Sequence, residues 1–173
     1  MELFLKAARL INVLTLWTEK IVQATVVLIF VTVFIFLNVQ VGMRYVLGIP
    51  LIWVEELMGF LMAYITLWGS SSCIRSDTQV RVSFLPDKMK SPVARHWLSI
   101  GVHGIVIFYL YYLIIFGFQF AAMGRGEVTP SGTFEFFVPR LALATGGVLM
   151  LIQAVGVIFR EISGLLGEVE AKA

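Results

Sequence analysis

The residues able to do chemistry in this sequence gather in two stretches. The first is Asn38–Glu56, NVQVGMRYVLGIPLIWVEE, where two amides (Asn38, Gln40), one cation (Arg44) and two carboxylates (Glu55, Glu56) stand close together. Gly48-Ile49-Pro50 supplies a tight turn that would bring Arg44 near Glu55 or Glu56. An arginine–carboxylate pair at a low-dielectric boundary is bidentate and directional, and pairing is preferred here over three separately solvated charges. Pro50 suits the first turn of a helix. Trp53, Glu55 and Glu56 would then open that helix, where its dipole favours acids. The second stretch, Arg125–Arg140, mixes Arg125, Glu127, Glu135 and Arg140 with Phe134, Phe136 and Phe137. Mixed charge beside aromatics suits a transient protein contact, in which charges set encounter and register and rings supply buried area. The alternative is that the phenylalanines enter a membrane interface and leave the charges solvated.

No Ser/His/Asp, Cys/His or HExxH constellation is present, so the sequence does not read as an enzyme, and no cofactor is expected. His103 is either a proton relay or a neutral imidazole bonded to a neighbouring helix or interfacial water; without a carboxylate partner the second reading is preferred. One imidazole makes no zinc site, which needs three or four ligands, and His96 falls in a loop. Cys73 is the one cysteine, so no internal disulfide can form and redox compartment cannot be read. A net charge of +2 with no basic cluster interleaved with aromatics gives no nucleic-acid partner.

The elements that must position these groups are transmembrane helices. The chain is 59% hydrophobic and 14% charged, with a mean hydropathy of +0.91. A soluble domain of this length could not hide that much apolar surface. Charges delimit four apolar stretches, about 21–43, 57–74, 98–124 and 141–159, each near the ~20 residues that cross a bilayer core. The reading is an all-α integral membrane protein, one membrane domain over 1–173, with membrane lipid as its surroundings. The first apolar run exceeds a signal-peptide core and lacks a small-x-small cleavage site, so it is expected to be retained. Lys6, Arg9 and Lys20, the loop at about 75–97 with Arg75, Arg81, Lys88, Lys90 and Arg95, and the tail with Arg160 and Lys172 all fall on one side. The other side holds Arg44, Arg125 and Arg140, so the positive-inside rule puts both termini in the cytoplasm. Leu3, Leu10, Leu14 and Trp17 can share a helical face apart from Lys6 and Arg9, which reads as an interfacial helix or a cytoplasmic extension of helix 1. Trp17, Trp53 and Trp97 sit near span ends, where aromatic belts form.

A carrier needs a polar place for its solute, often an interrupted helix near the midplane. Here Pro50, Pro86, Pro92, Pro130 and Pro139 all fall in loops or at helix ends, and no span contains an acid, a lysine or an arginine. Gly59, Ala63 and Thr66, then Gly117 and Ala121, then Ala142, Ala144, Thr145, Gly146 and Gly147 are small residues at helical spacing. They suit close helix approach, within the bundle or against a partner's helices.

Asn38-x5-Arg44-Tyr45, followed by Pro50-x2-Trp53-x-Glu55-Glu56-Leu57, resembles the small membrane subunit of TRAP transporters, the DctQ family. The resemblance continues through Trp68-Gly69, Arg75 and Val82–Pro86, and resumes at Val138-Pro139 and Gly146. It departs at Gln79, which stands where the family often has a histidine. The resemblance implies a sodium-coupled, three-part transporter for organic acids, sialic acid or a C4-dicarboxylate, in a bacterial inner membrane. In it a periplasmic binding protein captures the solute, and a large membrane subunit moves it and binds the sodium ions. The small subunit scaffolds the large one and helps dock the binding protein. The competing reading is a self-sufficient small oligomeric carrier or channel, with His103 or the helix 1 amides lining a path.

Overall fold

The computed structural model describes residues 2–75 and 92–170. They form four helices: α1 (Glu2–Val46), α2 (Ile52–Arg75), α3 (Pro92–Met123) and α4 (Phe137–Glu170). All four are long and apolar enough to cross a membrane. Among the described residues the β geometry is limited to one isolated bridge, Val128 to Glu135, so the fold is all-α as expected. The loop residues 76–91, including Gln79 and Val82–Pro86, lie outside the described residues, as do Lys172 and the side chains of Leu3, Lys6 and Arg9.

The helices run longer than the charge-free stretches. α1 is continuous for 45 residues, about 67 Å at 1.5 Å per residue against a hydrocarbon core of about 30 Å. The N-terminal segment is therefore an extension of the first helix rather than a separate one, with Leu10, Leu14 and Trp17 exposed along it. α4 starts at Phe137, and so takes Arg140 into its first turn. The turn between α1 and α2 also differs from expectation. Pro50 precedes α2, which begins at Ile52. Gly48 adopts φ +69, and the N–H of Ile49 reaches back 3.2 Å to the carbonyl of Met43. That left-handed cap closes α1 and leaves the chain extended through Pro50.

α4 is the centre of the bundle and packs against the other three helices, while α1 also packs on α2. Small side chains make this possible: Ala142, Ala144, Gly146, Gly147, Ala154 and Gly156 are buried along α4. A Cβ on Gly117 of α3 would come within 3.1 Å of the Ala144 backbone, one on Gly146 within 2.7 Å of Leu67 Cβ, and one on Gly156 within 2.7 Å of Thr15 Cγ2. In lipid, where apolar burial gives helices no net drive to associate, such close contact supplies the dispersion energy. α3 buries His103, Leu110 and Gly117, seven residues apart, with Ala121 a turn further on and Gly124 just past its end; this is the repeat of a coiled-coil-like seam.

Polar bonds pin the contacts. Trp68 Nε1 donates to Thr145 Oγ1 at 3.1 Å, joining α2 to α4. Gln153 Nε2 donates to the Thr15 carbonyl at 3.1 Å, joining α4 to the α1 extension. The second bond brings the N-terminal part of α1 beside the C-terminal part of α4, so the start of α1 and the end of α4 lie at one end of the bundle. The α1–α2 turn and the α3–α4 connection lie at the other.

Candidate functional site: the loop end of the bundle

At that second end, α2 opens with two adjacent carboxylates that serve different elements. Glu55 Oε1 accepts from Gln40 Nε2 at 2.7 Å and lies 3.4 Å from Arg44 Nη1. Gln40 is buried, whereas the Arg44 and Glu55 side chains are 60% and 53% exposed. The arginine contact is one long approach rather than the bidentate fork expected from sequence. The shorter bond is the one from the buried amide. Glu56 is not part of this pair. Successive helical residues point about 100° apart, so when Glu55 faces α1 its neighbour turns away. Glu56 instead accepts from Ser131, through the backbone N–H at 2.9 Å and through the hydroxyl, by a very short bond. Trp53 is exposed on the first turn of α2, and Asn38 donates to the Phe34 carbonyl of its own helix at 2.7 Å.

The α3–α4 connection is a small hairpin. Phe136 N–H donates to the Glu127 carbonyl (3.0 Å) and Thr129 N–H to the Phe134 carbonyl (2.9 Å). Its tip is a β-turn over Thr129-Pro130-Ser131-Gly132, closed by Gly132 N–H to the Thr129 carbonyl at 2.8 Å. Proline at the second position and Gly132 at φ +72 fit that turn. At the hairpin base a Cβ on Gly124 would stand 2.7 Å from Phe137 N, which leaves room only for glycine.

The four charged residues of this hairpin are placed unequally. Arg140 Nη2 bonds Glu127 Oε2 at 2.6 Å, and its guanidinium lies over the rings of Phe120 and Phe136 at 4.8 and 5.4 Å. Arg125 covers Phe137 at 5.0 Å. Glu135 is exposed. The aromatic residues face inward: Phe134 and Phe136 meet Phe60 of α2 edge-on at 6.0 and 6.4 Å. They supply hairpin-to-helix packing and remain half-buried.

His103 is buried, and its Nδ1 lies 2.8 Å from the Ser99 carbonyl one turn back in α3. A carbonyl only accepts, so Nδ1 carries the proton. The bond is made within its own helix, to neither of the partners anticipated. Ser131, Tyr64 and Gln153 were not singled out from sequence, and Trp68 entered only beside Gly69 in the family resemblance. Each of the four makes a bond to a residue more than 70 positions away, such as Tyr64 Oη to the Val138 carbonyl at 2.7 Å, and no local spacing reveals those partners.

Comparison with known proteins gives these features a context. A family model described as "Tripartite ATP-independent periplasmic transporters, DctQ component" matches residues 33–164. The sialic acid TRAP transporter small permease protein SiaQ of Vibrio cholerae serotype O1 is 30% identical over 129 residues, 74% of this chain and 73% of that protein. The sialic acid TRAP transporter permease protein SiaT of Haemophilus influenzae is 31% identical over 91 residues, 53% of this chain but only 15% of that much longer protein. With four membrane-crossing helices and a match over most of its length, the chain belongs to the DctQ component family of tripartite ATP-independent periplasmic transporters, as a multi-pass small permease subunit.

Proposed function

We propose that this chain is the small membrane subunit of a sodium-coupled, binding-protein-dependent TRAP transporter for organic acids, with sialic acid as the first substrate to test. In this reading it scaffolds a large transport subunit in a bacterial inner membrane, with both termini cytoplasmic, and helps dock a periplasmic binding protein at the hairpin end. The sodium ions bind in the large subunit.

The observation that carries the scaffold role is the state of the intramembrane polar groups. The described helices are uninterrupted. The hydroxyls of Thr18, Thr25, Thr32, Thr66 and Ser70 each donate to the carbonyl four residues back in their own helix, at 2.7–2.9 Å. Hydroxyls spent this way are turned back onto their own helix rather than offered as binding groups, whereas carriers use interrupted helices to hold solute and ion. The names of the relatives support the substrate, and the SiaT match supports a large permease as partner, since a segment like this one is there part of a longer chain. The Lys and Arg distribution supports the orientation.

Affinity purification of the tagged chain from its native membrane tests the reading. A much larger polytopic permease should copurify in constant ratio. Recovery of this chain alone under conditions that keep other membrane complexes intact would refute it.

A further inference from the structure

We propose that Glu56 is the positioning residue of the hairpin: from α2 it fixes the orientation in which residues 127–135 are presented, and through that orientation it sets the affinity of docking. The second part rests on the docking role proposed above; the first does not. The hairpin grows out of α3 and α4, so its ends are fixed but its tip is not fixed by them. The tip is held from α2, by two kinds of contact. Phe60 meets Phe134 and Phe136 edge-on, a geometry that tolerates sliding. The Glu56 carboxylate takes both the backbone N–H and the hydroxyl of Ser131, at the third position of the tip turn. Two donors from one residue onto one charged acceptor are directional as well as strong. Within the tip, Ser131 Oγ is also 3.2 Å from Thr129 Oγ1, and Thr129, itself buried, takes the Phe134 N–H at 3.3 Å. A shift of Ser131 is therefore passed to both strands. Because Glu55 holds Gln40 and Arg44, the first turn of α2 ties the end of α1 and the tip of the hairpin to one rigid element.

The test uses the assembled membrane complex with the variants Glu56→Ala, Glu56→Gln, Ser131→Ala and, as a control, Glu55→Ala. Amide hydrogen exchange is followed without binding protein at Thr129, Ser131 and Phe136. Uptake is measured against binding-protein concentration. Loss of bonds to a charged acceptor should speed exchange at Thr129 and Phe136 by about tenfold or more in Glu56→Ala. Glu56→Gln, whose amide oxygen still accepts from the Ser131 N–H, should recover part of the protection, and Ser131→Ala should shift it in the same direction by less. Glu55→Ala should leave hairpin exchange unchanged. The half-saturating binding-protein concentration should rise in Glu56→Ala with the maximal rate retained. Unchanged protection of Thr129 and Phe136 in Glu56→Ala overturns the proposal. A loosened hairpin with an unmoved half-saturation point overturns its docking half and, with it, the docking role of the hairpin.

Discussion

Gly146→Ala and Gly59→Ala are one chemical change with opposite expected signs. At Gly146 the new Cβ would sit 2.7 Å from Leu67 Cβ and 3.3 Å from the Leu67 carbonyl carbon. Neither atom is the free end of a flexible side chain, so α2 and α4 must part to admit it. Overpacking of this kind costs about 1–3 kcal/mol, and the better helix propensity of alanine returns about 0.5–1 kcal/mol. The net expectation is a loss of about 0.5–2 kcal/mol. At Gly59 the same Cβ meets nothing within 4 Å, so only the propensity term remains and the subunit should gain about 0.5–1 kcal/mol. For a chain of this size each kcal/mol moves the melting temperature by about 2–4 °C. Thermal unfolding of the purified subunit in detergent, followed by tryptophan fluorescence, separates the two. Gly146→Ala as stable as the parent, or Gly59→Ala losing as much as Gly146→Ala, would refute the packing assigned to α4.

Trp68→Phe removes the indole donor to Thr145 while keeping a ring near Tyr64, and should cost about 0.5–1.5 kcal/mol in the same unfolding assay. A double-mutant cycle of Arg44→Ala with Glu55→Ala should give a coupling of no more than about 1 kcal/mol, because both side chains are largely exposed. The corresponding cycle of Arg44→Ala with Glu56→Ala should be additive within about 0.3–0.5 kcal/mol; strong coupling there would contradict the separate roles of the two carboxylates. Glu135→Lys should raise the binding-protein concentration needed for half-maximal uptake and leave the membrane complex intact, more so at low salt. Glu127→Lys should do the same and also lower subunit stability, since it breaks the Arg140 pair.

Much of the fold was legible because the bilayer imposes a simple rule. A run of about 20 residues without charge must be a helix, and charges such as Lys20, Arg44 and Arg75 marked where each run ended. Charges mark helix ends only in places: Arg75 closes α2, but Arg140 lies inside the first turn of α4, neutralised by Glu127 and stacked on two phenyl rings. At the loop end the short α1–α2 connection made an approach of Arg44 to the start of α2 readable. The 100° step between Glu55 and Glu56 implies that only one of them faces α1, but which one is set by the orientation of α2 and was left open. The partner of Glu56 was not readable, because Ser131 lies 75 positions away on a hairpin whose docking depends on tertiary packing. The small residues show the same limit. Gly146 and Gly59 look alike in a sequence, yet one is pressed against Leu67 and the other faces open space. Spacing reports that a helix face is small, not what lies against it. For the same reason the packing of Phe134 and Phe136 against Phe60 could not be read from the sequence.

Uptake into liposomes tests the proposal that this chain supports transport without performing it. Four preparations are compared under an inward sodium gradient: this chain alone, the large subunit alone, both membrane subunits, and both together with the binding protein carrying its own substrate. Uptake is expected only in the complete system, with none by this chain alone and loss of uptake when the sodium gradient is collapsed. Substrate accumulation by this chain alone would contradict the proposal.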